Sequence, residues 1–169
     1  MAVRVEGTEE QTESKKCFSS NLGWLLKQAT YALSSELIAA LSPVGVSPRG
    51  YHVLTAALTG EHTQTELAQL VGLDKTTMVV TIDELEAAGL AKRLPSSHDR
   101  RARVIRVTEA GERKVAEARE VIDGVQDDVL SSLPARERTG LLDALNRLVS
   151  DRLSETVECN PPLRRREPR

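Results

Sequence analysis

The stretch Thr63–Gly111, TQTELAQLVGLDKTTMVVTIDELEAAGLAKRLPSSHDRRARVIRVTEAG, governs how the rest of the chain is organised. It opens with Thr63-Gln64-Thr65-Glu66, a capping-box pattern in which the Thr63 hydroxyl accepts from the Glu66 amide and the Glu66 carboxylate reaches back. The helix that follows is expected to bury Leu67, Ala68 and Leu70 and to stop at Val71-Gly72. Asp74 is the next N-cap candidate, with Leu73 and Met78 at the two positions of a hydrophobic staple. Across Lys75–Ala88, Val79, Ile82, Leu85 and the stem of Glu86 are expected to face inward, and Gly89 stands where a C-terminal glycine belongs. Lys75, Thr76, Thr77, Val80 and Thr81 are left outward.

Leu90–Leu94 and Val104–Val107 then read as two short strands, joined by the turn residues Pro95-Ser96-Ser97-His98-Asp99-Arg100. Two short helices around a tight turn at Gly72, followed at once by a hairpin, make a winged helix-turn-helix. A helix that shows short hydroxyls, one Lys and a Val at its N-terminal end is shaped for a major groove.

Upstream, Ser47-Pro48 has the form of an N-cap with Pro at the first helical position. That helix carries Tyr51, Val53, Leu54, Ala57 and Leu58 and stops at Gly60. Earlier still, from about Cys17, Phe18, Leu22, Leu25, Ala29, Leu33, Leu37 and Ala40 recur at helical spacing until Pro43 and Gly45. At 1.5 Å per residue this helix is about 36 Å long. A small domain cannot cover that length, so part of the apolar face is expected to seek a partner chain. Downstream, Thr108 and Gly111 open a long helix with Val115, Ala118, Ile122, Val125, Val129 and Leu133 on one face. Pro134 starts a last helix carrying Leu141, Leu142, Leu145, Leu148 and Val149.

These patterns predict a mainly α fold with a small β-hairpin wing and long N- and C-terminal helices. A chain of 169 residues has room for one domain, or one small domain with a helical appendage. No apolar run approaches a membrane span, and MAVRVEGTEEQTESKK holds no apolar signal segment, so a cytoplasmic location is expected. The formal net charge of −2 leaves any basic surface to local clustering. Between Lys92 and Arg106 there are six cations (Lys92, Arg93, Arg100, Arg101, Arg103, Arg106) against Asp99 alone. From Glu109 to Asp128, seven acids face three cations. That segregation aims one surface at polyanions.

The order of elements resembles the MarR family of bacterial transcriptional regulators over about residues 17–150. The resemblance is carried by Asp99-Arg100-Arg101-Ala102-Arg103 leading into Val107-Thr108-Glu109-Ala110-Gly111. Leu67-Ala68 before Gly72-Leu73-Asp74, and Leu85-Glu86 before Gly89-Leu90, add to it. It implies a homodimer on double-stranded DNA, with each recognition helix in a major groove and each wing arginine in the flanking minor groove. Two-fold symmetry then asks for a pseudopalindromic operator. The expected division is a disordered N-terminus (1–15), a dimerisation helix (16–46), the winged helix-turn-helix (47–111), C-terminal dimerisation helices (112–155) and a disordered basic tail (156–169).

Arg101 is the foremost DNA candidate, since a guanidinium at the wing tip suits a narrow minor groove. Arg100 and Arg103 are expected at phosphates or in solvent, and Asp99 as an orienter. Lys75, Thr76, Thr77 and Thr81 are candidates on the recognition helix, and Gln64 and Thr65 at the start of the helix before it. The resemblance also implies a small anionic aromatic effector between the dimerisation and DNA-binding parts. Trp24, Gln28 and Tyr31 on one helix face, with His52, could line such a site, against ordinary packing at a helix junction. Cys17 and Cys159 could form a redox pair, against two unremarkable thiols. No cofactor is called for and no metal-ligand spacing is present. The histidines His52, His62 and His98 stand near no Ser or Cys in a triad-like pattern, so an enzyme is not expected. The competing readings are a thiol-based redox-sensing regulator and a winged helix that binds protein instead of DNA.

Overall fold

The computed structural model describes residues 18–97 and 101–154. In chain order these form α1 (Leu22–Leu41), α2 (Pro48–Ala57), α3 (Gln64–Leu70), α4 (Lys75–Ala87), β1 (Ala91–Pro95), β2 (Arg103–Val107), α5 (Glu109–Ser131) and α6 (Ala135–Ser150). The fold is the expected one, mainly helical with a two-stranded antiparallel hairpin. None of the described helices is long and apolar enough to cross a membrane. Two compact units divide between Val125 and Gln126, within α5. Residues 1–15, Cys17, His98, Asp99, Arg100, Cys159 and the 156–169 tail lie outside the described residues.

Local capping sets most helix starts. Asn21 accepts from the Trp24 amide at 2.9 Å and starts α1, about five residues later than the apolar spacing suggested. Ser47 caps α2 through the Gly50 amide at 3.1 Å, with Pro48 at the first helical position. The capping box on α3 is complete: Thr63 Oγ accepts from the Glu66 amide, and Glu66 accepts from the Thr63 amide at 2.7 Å. Asp74 caps α4 through the Thr77 amide at 3.0 Å. Between α3 and α4, Gly72 adopts φ +67°, a left-handed conformation that a side chain would strain.

The core of the first unit is aliphatic. Leu41, Val53, Leu54, Leu67, Met78 and Ile82 are fully enclosed, and Ile105, Val107, Val115 and Ala118 close over them from the hairpin and α5. Two inward assignments are corrected. Leu70 is 59% exposed, because a seven-residue α3 buries only the Leu67-Ala68 stripe before Val71 ends it. Val79 is also exposed, because α4 is phased on Met78, Ile82 and Leu85, which leaves Val79 a turn's third away from the core.

The hairpin pairs from Ala91↔Val107 to Pro95↔Arg103. A bridge from Thr63 to Val104 and a hydrogen bond from the Ile105 amide to His62 O (3.0 Å) add the α2–α3 link alongside β2. At the base, the Thr108 hydroxyl donates to Gly89 O at 2.8 Å and accepts from the Gly111 amide at 3.0 Å. One side chain thereby joins the end of α4 to the start of α5.

α1 contrasts with this packing. Only Leu41 is buried, while Leu22, Leu25, Tyr31 and Ile38 are exposed. In the second unit, α6 buries none of its residues and exposes Leu141, Leu142 and Val149.

Candidate nucleic-acid interface

The outward face of α4 follows from its phase. With Met78, Thr81, Ile82 and Leu85 buried, the first two turns present Lys75, Thr76, Val79 and Val80 to solvent. Thr81 is therefore corrected: it is 1% exposed and its hydroxyl donates to Thr77 O at 2.7 Å. It lies three residues after Met78, on the same stripe, so helical periodicity turns it into the core. The Thr77 hydroxyl donates to Asp74 at 2.7 Å, which commits its proton to the cap and leaves only acceptor capacity. Val79, expected inward, joins this outward face. Counting from Met78 instead of from Val79 gives the observed phase.

At the start of α3, Thr65 is exposed and Gln64 is half-buried. Gln64 faces another element as well, since its Oε1 accepts from Arg93 at 3.4 Å. Arg93 is the tie of this region. It holds Asp83 at 2.7 Å and a short contact to Glu86, and its own amide donates to Glu86 at 2.7 Å. Burial alone would lower the Arg93 pKa, but the hydrogen bonds and charges of Asp83 and Glu86 outweigh it and raise it. One guanidinium thus joins α3, α4 and β1.

The basic hairpin is accordingly less basic than its composition. Of the six cations in the expected cluster, Arg93 is tied to two acids and Arg106 to Glu61 at 3.1 Å. Lys92, Arg101 and Arg103 are exposed, with Arg101 at the end of the wing loop and Arg103 opening β2. Arg100 and Asp99 fall outside the described residues.

Glu61, assigned nothing from sequence, proves to be a hub. Its carboxylate accepts from the Ser97 hydroxyl (2.9 Å), the Ser97 amide (3.1 Å) and the Ser96 hydroxyl (3.2 Å), besides Arg106. Those bonds from Ser97, then from Ser96 and the Arg106 charge, hold it below the usual carboxylate range.

The expected effector residues fall into two groups. Trp24 stacks on Phe18 with ring centroids 5.8 Å apart, while Gln28 and Tyr31 are exposed further along α1. His52 is exposed on α2 beside the Tyr51 ring at 5.6 Å, and partial desolvation lowers its pKa. The structure adds a cation that no sequence neighbour supplied. Arg119 of α5 lies near enough to Tyr51 that the Tyr51 side chain is the first cause of its raised pKa.

The model of the MarR family matches residues 44–102, from just after α1 through the wing loop. Among solved structures, the chain is similar to CouR from Rhodococcus jostii RHA1 bound to p-coumaroyl-CoA. The identity is 29% over 83% of this chain and 98% of that one, with a TM-score of 0.70. A MarR-family transcriptional regulator from Rhodococcus sp. RHA1 is 27% identical over 79% and 96%, with a TM-score of 0.71. The transcriptional repressor CouR bound to a 23-mer DNA duplex is 25% identical over 87% and 99%, with a TM-score of 0.68.

Proposed function

We propose that this chain, a DNA-binding transcriptional regulator of the MarR family, acts as a homodimeric repressor on a pseudopalindromic operator and is released by a small aromatic anion. The observation that carries the DNA-reading part is one of adjacency. A helix whose first turns present Lys75, Thr76, Val79 and Val80 runs directly into a hairpin that carries Arg101 and Arg103 exposed.

Each group has a distinct task in this reading. Lys75 and Thr76 meet base edges or phosphates, and the Val79 and Val80 methyls suit the C5-methyl of thymine in the major groove. Arg101 enters the adjoining minor groove, where the negative potential is strongest over A·T-rich sequence. Gln64 and Thr65 stand at the α3 N-terminus, whose amides favour phosphate. Homodimerisation is supported by the exposed apolar side chains of α1 and of α6. CouR, bound to a DNA duplex in one structure and to p-coumaroyl-CoA in another, supports a DNA-binding chain that also takes a ligand with an aromatic group. On this chain, Arg119 against Tyr51 offers the positive charge such an anion needs. Binding there would shift the spacing of the two recognition helices away from that of the operator half-sites.

The test is affinity for a duplex selected by the protein from a randomised pool, titrated against salt. Log K is expected to fall steeply with log salt, as counterions are released from contacted phosphates. Arg101→Ala is expected to lose about 1–3 kcal/mol of that affinity while the dimer persists. A flat salt dependence with no duplex selected would instead favour a winged helix that binds protein.

A further inference from the structure

Hairpins of two strands are marginal by themselves, so the direction in which a wing points depends on ties to the body of the domain. Here the base is tied twice, by Arg93 to α4 and by Thr108 to Gly89 O. The far end of the ascending arm has a different anchor. Glu61, in the link between α2 and α3, reaches the end of the ascending arm through Ser96 and Ser97 and the base of the descending strand, opposite Lys92, through Arg106. Ser97 is the last described residue before the tip, and Arg101 the first after it. The Glu61 side chain is one-quarter exposed.

We propose that Glu61 is a positioning residue that aims the wing, holding Ser96, Ser97 and Arg106 together so that Arg101 is presented to the minor groove. The inference rests on the wing being a DNA-contacting element. It has a sign that simple electrostatics does not share. A carboxylate near DNA repels phosphate, so removing its charge would by Coulomb's law alone raise affinity for every duplex. Aiming requires the opposite for the specific site. Glutamine is the same size but keeps one acceptor oxygen, and its NH2 group meets either the serine donors or Arg106. Both arms can no longer be held at once.

The experiment is a double-mutant cycle in the full chain. It measures the wild type, Glu61→Gln, Arg101→Ala and the double variant on the selected duplex and on an unrelated duplex of equal length, with melting temperatures alongside. Glu61→Gln is expected to weaken the selected duplex by about threefold or more, the scale of coupled neighbours, and to leave the unrelated duplex unchanged or tighter. In the Arg101→Ala background it is expected to cost nothing further. Ser97→Ala, which removes one donor and no charge, is expected to show a smaller loss with the same dependence on Arg101. Unchanged or tighter binding of the selected duplex by Glu61→Gln overturns the proposal, as does a loss that adds in full to that of Arg101→Ala or tracks a fall in melting temperature. If Arg101→Ala alone binds normally, the wing reading itself fails and takes this proposal with it.

Discussion

At Gly111 the start of α5 runs so close to the end of α4 that a Cβ there would overlap Leu90 O and lie 2.7 Å from Val107 Cγ1. Backbone oxygen cannot rotate aside as a flexible side chain can. Gly111→Ala is therefore expected to destabilise by about 1–3 kcal/mol, the range for overpacking. Gly124, also in α5, has no neighbour within 4 Å of the same virtual atom. Gly124→Ala is expected to stabilise by roughly 0.5–1 kcal/mol through helix propensity. Urea midpoints of the two variants check the pair, and shifts of equal sign would contradict the packing described. Arg93 shows a residue-scale effect of another kind. In composition it is one of six wing cations, yet its bonds to Asp83 and Glu86 make it a brace.

Among the elements, α3 depends most on its cap. Seven residues cannot hold a helix by propensity, since nucleation alone outweighs so few hydrogen bonds. Thr63 supplies a donor and an acceptor to Glu66, and is bridged to β2 as well. Thr63→Ala is expected to cost about 1 kcal/mol, as lost N-caps do, and to weaken DNA binding through the displaced start of α3. The bonds from the Thr63 amide and hydroxyl lower the pKa of Glu66. A depressed carboxyl contributes stability above its unfolded pKa and loses it as pH falls through the folded one. The difference between Thr63→Ala and wild type is thus expected to be full at neutral pH and to shrink under acid. Chemical denaturation at two pH values measures this, and a difference that grew on acidification would count against the capping account.

On the scale of the whole molecule, the unmatched apolar surface is the main fact. α1 leaves Leu22, Leu25 and Ile38 exposed, and α6 leaves Leu141, Leu142 and Val149 exposed. Single exposed leucines are ordinary, but Leu142 and Val149 stand seven residues apart on one face of α6, and a repeated apolar face is what an interface needs. With the homodimer proposed above, Leu142→Glu combined with Val149→Glu is expected to convert a two-chain species into monomer in sedimentation. It is also expected to abolish tight binding to a two-half-site duplex, because two weakly held half-sites gain from being linked. A variant that sediments as wild type would remove α6 from the interface.

What the sequence determined by itself is everything that acts within a turn or so of chain. Ser47, Thr63 with Glu66, and Asp74 cap the amide three residues on, so the starts of α2, α3 and α4 could be read without any fold. Alternation and turn residues likewise placed the hairpin. The phase of α4 was less secure, because Met78, Val79 and Val80 are consecutive apolar residues and only the core they meet selects Met78 and, with it, Thr81. Tertiary structure alone decided which charges were already spent. Arg93 finds Gln64 across 29 residues, and Arg106 and Ser97 find Glu61 across 45 and 36. Sequence spacing carries no information about such pairs, since they exist only after the hydrophobic core has brought the α2–α3 link beside the hairpin. The stretch Thr63–Gly111 therefore specified the elements that form the interface, and packing decided which of their side chains it presents.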